Sequence, residues 1–237
     1  MSELNYLLHE RSLAELVIPG KSSREDFHLI PRRCAILVID IQEYLSKPME
    51  KGEEQSYFFQ QSLPEVVENI SKLISKFRSI RDSQTQGCEV IFTYLEALTK
   101  DCRDISLDYK LSGPKLSALP NAASNPAKFL VEASPTVDGR GDIKIPKTSC
   151  SVFASTNLRY VLQNLRVEQL VVTGQLTNQC VESAVRDAAD LGFFVTLVED
   201  ACAALTSNDQ EKGLEGMKGF CRILKTDDVI QELSRNM

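Results

Sequence analysis

The 237-residue sequence has only two histidines, His9 and His28, and its seven cysteines form no C-x-x-C pair. Zinc sites are usually built from clustered Cys and His ligands, so this composition argues against a metal knuckle. An odd number of scattered cysteines also argues against a disulfide framework and is typical of reduced thiols in the cytoplasm. We therefore expect a cytoplasmic protein with no bound metal and no cofactor.

Positive charge and long apolar segments are also scarce. The net charge is −6 and no run rich in Lys or Arg occurs, which argues against a nucleic-acid partner. No apolar run approaches the length of a membrane-spanning helix, so we expect no membrane partner. The first residues include acidic side chains and lack a continuous apolar segment, unlike a conventional signal peptide, although leaderless export stays open.

The sequence instead alternates strand-like and helix-like segments. Predicted strands cover residues 34–40, 89–95, 142–145, 169–173, 193–198 and 221–224, and predicted helices cover residues 62–86, 156–165, 178–191 and 207–219. Strands that are apolar on both faces belong to parallel sheets, and the alternation implies right-handed crossovers. We predict one α/β domain over residues 31–237, after an N-terminal extension over residues 1–30 with a short amphipathic helix at 4–16.

Three reactive side chains come at the ends of predicted strands. Asp40 ends the first strand, Lys147 follows the third, and Cys180 lies in the first turn of the helix after the fourth. The unpaired N–H groups and the dipole of a helix N-terminus stabilise a thiolate and lower its pKa. Asp40 and Cys180 also have structural explanations, because Asp40 suits a turn or helix cap and free cysteines are often buried.

Together these three residues form a workable chemical unit. The carboxyl ends of parallel strands share one edge of a sheet, so residues far apart in sequence can meet there. The carboxylate of Asp40 can take the thiol proton, the ammonium of Lys147 stabilises both anions, and the thiolate of Cys180 can attack a carbonyl carbon. The pattern therefore predicts nucleophilic catalysis by Cys180.

A long irregular segment over residues 99–141 is rich in Gly, Pro, Ser and Asp. Long connections within a compact domain are usually functional, so we interpret this one as a wall or lid of the site. Its polar candidates are Asp104, Asp108, Tyr109 and Lys110. A structural or solvated role is the alternative for each.

Three motifs give the sequence a family resemblance. They are LVIDIQ at residues 37–42, IPKTSCSVFASTNL at residues 145–158, and VVTGQLTNQCVESAVRDAADLGF at residues 171–193. In this order they resemble the isochorismatase-like cysteine hydrolases, a family that includes nicotinamidases, carbamoylsarcosine and ureido amidases, and isochorismatases. The resemblance covers residues 34–224.

The resemblance implies a Rossmann-like three-layer domain with a six-stranded, mostly parallel sheet and helices on both faces. It also implies a catalytic triad of Asp40, Lys147 and Cys180. A cis peptide at Gln175–Leu176 would direct the backbone N–H groups of Leu176 and Cys180 at one point, forming an oxyanion hole. Family members suggest a homodimer or homotetramer, with the N-terminal extension as a candidate contact.

Two departures from family patterns bear on the substrate. Metal-dependent nicotinamidases carry an Asp-x-His after the second strand, whereas residues 93–104 here contain no histidine, which argues against a metal-bound pyridine site. Some isochorismatases lack the cysteine that this chain keeps. Three functions stay open: a cysteine amidohydrolase of a small carboxamide or ureido compound, an isochorismatase that hydrolyses a vinyl ether with Asp40 as acid, and a catalytically silent binding protein.

Five further side chains are candidates for binding a small-molecule substrate. They are Tyr44, Glu96, Tyr109, Phe153 and Gln175. Of these, Glu96 suits a cationic or hydrogen-bond-donating group such as an amide or ureido NH. Its alternative role is to orient Lys147.

Overall fold

Six parallel strands form the sheet at the centre of the molecule. The computed structural model describes residues 12–45, 57–83, 87–111, 119–131 and 141–235. The strands are β1 (Cys34–Ile39), β2 (Glu89–Leu95), β3 (Ile143–Lys147), β4 (Gln169–Gln175), β5 (Phe194–Ala203) and β6 (Arg222–Leu224), in the spatial order β3-β2-β1-β4-β5-β6. Every pairing is parallel, which confirms the predicted α/β class and sharpens a mostly parallel sheet to an all-parallel one.

Helices cover both faces of this sheet. They are α1 (Leu63–Ser83), α2 (Leu107–Leu111), α3 (Val152–Ser155), α4 (Leu158–Asn164), α5 (Glu182–Asp190), α6 (Ser207–Met217) and α7 (Thr226–Arg235). Successive side chains of β1 alternate between two cores, because Ile36 and Val38 pack with α1 and α7 while Leu37 and Ile39 pack with α4, α5 and α6. In the described part of the chain, no helix is both long enough and apolar enough to cross a membrane.

The strand register brings the ends of the central strands to one edge. Ile39 at the end of β1 pairs with Thr93 of β2 on one side and with Gly174 of β4 on the other. On the far side of β2, Leu95 pairs with Lys147, the last residue of β3. This edge is therefore where the side chains that follow β1, β3 and β4 meet.

Two predictions about the second half of the chain were wrong. The fifth strand was expected to end before Glu199, but β5 continues to Ala203 because a register shift between Val172 and Gly174 lets β4 pair with Cys202 and Ala203. The chain was also expected to finish with β6, yet α7 follows it. The helix α7 has few apolar residues, so its sequence shows little sign of a helix. Its buried side chains, Val229 and Leu233, pack in the same core as α1.

Smaller differences concern element boundaries. The helix expected over residues 156–165 corresponds to α4, and a separate short helix, α3, precedes it. The helix expected from residue 178 begins with a π-helical turn, Thr177–Val181, before α5. The predicted helix at residues 4–16 lies largely outside the described residues. Its described part, Leu13–Leu16, is a single 3-10 turn.

The described part of the N-terminal segment packs on the amino end of the sheet. Leu13 and Leu29 are buried, the Ile30 N–H donates to Gln169 Oε1 at 2.7 Å, and Arg222 Nη1 donates to the carbonyl oxygen of Phe27 at 3.0 Å. These contacts hold the segment at the end of the sheet opposite to Asp40. The division into an extension and a domain at residue 31 stays a prediction.

Gly174 is required where β4 passes β1, and this requirement can be tested by substitution. Its φ is +124°, and a Cβ would lie 2.1 Å from the carbonyl oxygen of Ile39, whereas Gly192 has φ +90° with open space around it. We expect Gly192→Ala to cost about 1–2 kcal/mol for backbone strain alone. Gly174→Ala adds a backbone clash and should cost more than about 4 kcal/mol. Equilibrium urea unfolding measures both, and equal losses would contradict the steric argument.

Candidate active site

Asp40 is held at the carboxyl edge of the sheet by its backbone. Its φ of +56° turns the chain sharply after β1, a conformation that Asp tolerates better than most residues. Its N–H donates to the carbonyl oxygen of Thr93 at 2.9 Å, and its own carbonyl accepts from Gln175 Nε2 at 2.6 Å. Bonds to β2 and β4 thus place a side chain that is only 1% exposed.

Lys147 reaches the same point from β3 and is fully buried. Its Nζ lies 2.9 Å from Asp40 Oδ2 and 3.3 Å from Cys180 Sγ. The carbonyl oxygens of Ser149 and Cys150, at 3.0 and 3.1 Å, complete the surroundings of the ammonium. The three protons of Nζ therefore face acceptors on every side, which is the condition for burying a charged lysine.

Cys180 lies in the π-helical turn between β4 and α5 and is 5% exposed. The peptide bond Gln175–Leu176, just before this turn, is cis, at the position that the family resemblance implied. Besides Lys147, the Cys180 sulfur contacts Tyr109 Oη at 3.4 Å and Cys150 Sγ at 3.8 Å. The structure therefore brings Asp40, Lys147 and Cys180 together as one group, called here the Asp-Lys-Cys cluster.

The electrostatics of the cluster favour a permanent ammonium and a basic carboxylate. Burial raises the pKa of Asp40 well above its usual range, and the Lys147 ammonium opposes this effect only in part. Burial acts to lower the pKa of Lys147, but the negative charges of Asp40 and Cys180 outweigh it and raise this pKa overall. Lys147 therefore stays charged, while Asp40 accepts a proton more readily than an exposed carboxylate does.

The two sulfurs of the site titrate as a pair. The hydrogen bond between them lowers the pKa of Cys150 to about 6, and the same hydrogen bond together with burial raises the pKa of Cys180. The pair thus loses its first proton readily and its second with difficulty. After the first proton is lost, the pair of sulfurs carries one negative charge. Because Lys147 Nζ contacts Cys180, the ammonium stabilises this charge best when it lies on the Cys180 sulfur.

Two tyrosines predicted to line the pocket lie beside the cluster. Tyr109, on α2, reaches the Cys180 sulfur, and α2 is anchored where the Ser106 N–H donates to the carbonyl oxygen of Thr148 at 2.8 Å. Burial and the nearby negative charges of Cys180 and Asp40 raise the pKa of both Tyr109 and Tyr44. Both phenols therefore stay neutral and can donate hydrogen bonds.

The other three predicted binding residues have different surroundings. Gln175 holds Asp40 through its Nε2, and its buried Oε1 has no hydrogen-bond partner among the described residues. Glu96 is buried, and its Oε1 accepts from the Ala127 N–H at 2.7 Å, so it anchors the segment 119–131. Phe153 packs its ring on Phe193, at a centroid distance of 6.2 Å.

Polar residues of the lid segment act mainly within that segment. Asp104 accepts from the backbone N–H groups of Leu98 and Thr99 at 2.7 and 3.1 Å, and Lys110 Nζ donates to the carbonyl oxygen of Arg103 at 2.6 Å. Within the described ranges, no group of three or more His, Cys, Asp or Glu side chains could hold a metal ion.

Two residues near the cluster were missed by sequence reasoning. The Gln42 side chain donates to the carbonyl oxygen of Leu95 and accepts from its N–H, both at 2.9 Å, so it ties the turn after β1 to β2. Cys150 brings a second thiol to Cys180. Both residues belong to the family-like motifs, and Cys150 follows Lys147 by three positions, which is the signal that could have identified them.

Comparisons with known proteins identify the family and the fold. The isochorismatase domain profile matches residues 34–228. The cysteine hydrolase from Pseudomonas syringae pv. phaseolicola has the same fold, with a TM-score of 0.71 at 22% identity, over 89% of this chain and 97% of that one. The structural likeness shows the fold alone.

Two relatives in sequence carry more specific names. Ureidoacrylate amidohydrolase RutB of Agrobacterium fabrum is 48% identical over 61 residues, a match that spans 26% of this chain and only 27% of that protein's length. A probable inactive nicotinamidase of Arabidopsis thaliana is 29% identical over 190 residues, which are 80% of this chain and 90% of that protein. The profile match covers well over half of the chain, so the chain belongs to the isochorismatase family of hydrolases.

Proposed function

We propose that the protein is a cysteine amidohydrolase that cleaves a C–N bond of a small carboxamide or ureido compound. The observation that carries the proposal is the position of Lys147 Nζ, 2.9 Å from a buried carboxylate and 3.3 Å from a buried sulfur. An ammonium at this position stabilises the negative charge of a Cys180 thiolate, and it also attracts the carboxylate of Asp40.

The proposed reaction has two halves. Asp40 takes the thiol proton, and the Cys180 sulfur attacks the substrate carbonyl carbon, giving a tetrahedral oxyanion. The oxyanion collapses, the C–N bond breaks, and Asp40 returns its proton to the leaving nitrogen. Water, deprotonated by Asp40, then attacks the thioester (a thiocarbamate for a ureido substrate), releases the acid and restores the thiol. The backbone N–H groups of Leu176 and Cys180 are the proposed oxyanion donors.

Substrate binding is assigned to the neutral polar groups around the cluster. Gln175 Oε1 is buried without a partner among the described residues, so a substrate N–H that reaches it would relieve the cost of an unpaired acceptor. The phenols of Tyr44 and Tyr109 supply donors for a substrate oxygen. This set suits an amide or ureido group, which presents both N–H and C=O, and the ureidoacrylate amidohydrolase among the relatives supports the same substrate class.

A second candidate function rests on Asp40 alone. Burial raises the pKa of this carboxyl, and a protonated Asp40 could act as the acid that protonates a vinyl ether, as in an isochorismatase. In that reaction Cys180 is not needed. The two functions therefore differ in which substitution is harmful.

We expect Cys180→Ala to abolish ammonia release from small amides and ureides, because it removes the sulfur that is proposed to attack the carbonyl carbon. Asp40→Asn should lower the same activity by about 100-fold or more, since the general base is removed. A screen of amides and ureides read as ammonia, with isochorismate read as pyruvate, measures both outcomes. Cys102→Ala, which removes a lid cysteine, is the matched control and should retain activity.

Pyruvate release that survives Cys180→Ala and is lost in Asp40→Asn would replace the amidohydrolase with an isochorismatase. Hydrolysis of no compound by the wild type would instead favour a silent binding protein. The relative that is a probable inactive nicotinamidase makes this third outcome worth measuring.

Replacing Lys147 tests the source of the thiolate. In the wild type the pKa of Cys150 is lowered to about 6, so alkylation of the thiol pair by iodoacetamide should rise as the pH passes through 6 and be lost below it. Lys147→Met removes the ammonium, which should move this rise upward by about 1–3 pH units. Peptide mass spectrometry at each pH identifies the labelled cysteine. Lys110→Met is the control, and an unmoved profile in Lys147→Met would contradict the electrostatic role.

A further inference from the structure

The second thiol of the active site has no part in the proposed hydrolysis, yet it lies against the nucleophile. Cys150 Sγ is 3.8 Å from Cys180 Sγ and 3.5 Å from Ser183 Oγ. A disulfide requires an S–S distance of about 2.05 Å, so the sulfurs need to approach by less than about 2 Å. Cys150 lies in the turn between β3 and α3, outside the helices and strands.

The five other cysteines have surroundings that make them poor thiolates. Burial raises the pKa of Cys34 well above its usual value and that of Cys88 to about 12; it also raises those of Cys102, Cys202 and Cys221, the last to about 11. Cys150 and Cys180 differ because their sulfurs are in contact beside the Lys147 ammonium, so the pair loses its first proton readily although the pKa of Cys180 itself is raised. Cys150 is also partly exposed, so small solutes can reach this pair.

A low first pKa, access for small solutes and a neighbouring second thiol are the features of cysteines that oxidise reversibly. From this geometry we propose that the active site is an oxidative modification site, in which Cys150 resolves oxidised Cys180 as a reversible disulfide. The oxidant is a small hydroperoxide such as hydrogen peroxide. The inference goes beyond the hydrolysis proposed above and does not depend on it.

The chemistry balances in two steps. The Cys180 thiolate attacks one peroxide oxygen, the O–O bond breaks, and the sulfur becomes a sulfenic acid while the departing hydroxide takes a proton to form water. The Cys150 thiolate then attacks the Cys180 sulfur, the S–S bond forms, and a second hydroxide leaves as water after protonation. Both sulfurs are oxidised, and one hydrogen peroxide is reduced to two water molecules. A dithiol reductant reverses the outcome by thiol–disulfide exchange.

Disulfide formation has two consequences at this site. It removes the Cys180 thiolate that the proposed hydrolysis needs, so oxidation switches hydrolysis off. It also stops the oxidation at a reversible stage, since a sulfenic acid without a neighbouring thiol proceeds to a sulfinic acid that dithiols do not reduce. Cys150 therefore protects the nucleophile.

The test treats the full chain with hydrogen peroxide and follows it by intact and peptide mass spectrometry. The wild type should lose two hydrogen atoms and yield a peptide in which Cys150 is linked to Cys180, and dithiothreitol should restore the reduced mass. Cys150→Ser should instead gain two oxygen atoms at Cys180 as a sulfinic acid, and dithiothreitol should not reverse this gain. Cys102→Ser is the matched control and should behave as the wild type does.

Activity, where a substrate has been found, is compared only within each variant before and after treatment. Recovery with dithiothreitol is expected for the wild type and not for Cys150→Ser. Cys150→Ala provides a second variant if the serine does not fold. Oxygen adducts on wild-type Cys180 without a linked peptide would overturn the proposal, and so would equal recovery of Cys150→Ser. Because the mass readout needs no substrate, a linked peptide in a chain without amidase activity separates failure of the hydrolysis proposal from failure of this one.

Discussion

The buried ion pair between Lys147 and Asp40 is the constraint around which this site is arranged. Placing two charges away from water costs several kcal/mol for each ion, and the cost is offset only where partners surround both. Here Lys147 Nζ contacts Asp40, Cys180 and two carbonyl oxygens. Removing Lys147 or Asp40 would leave the other buried group without its charged partner, so these two side chains depend on each other.

The all-parallel sheet provides the frame for that unit. The last residue of β1, Ile39, lies level with Thr93 of β2 and Gly174 of β4, and β3 contributes Lys147 from the other side of β2. Hydrogen bonds then set Asp40 between β2 and β4. The apolar cores on the two faces of the sheet hold these backbones in place, so chemistry at the edge depends on packing some distance away.

The surroundings of Cys180 serve two opposing needs. A nucleophile must be able to ionise, and the Lys147 ammonium and the Tyr109 phenol both oppose the Cys150 hydrogen bond and the burial that raise the pKa of Cys180. An easily ionised sulfur is also the sulfur that oxidants attack first. The Cys150 thiol, at 3.8 Å, allows an oxidised Cys180 to form the proposed reversible disulfide. The turn after β3 thus carries the group that protects the reactive sulfur.

Local sequence patterns were enough to locate the strands, their parallel arrangement, and Asp40, Lys147 and Cys180 at the ends of three of them. A strand that is buried on both faces appears in the sequence as a continuous apolar run. A polar residue at the end of such a run can therefore be recognised from the sequence alone. The sequence did not reveal the continuation of β5 past Glu199, the ring contact of Phe153 with Phe193, or the approach of Cys150 to Cys180. Those features depend on register shifts and side-chain directions, which are decided only when distant segments pack together, because their energies come from contacts between residues far apart in the chain.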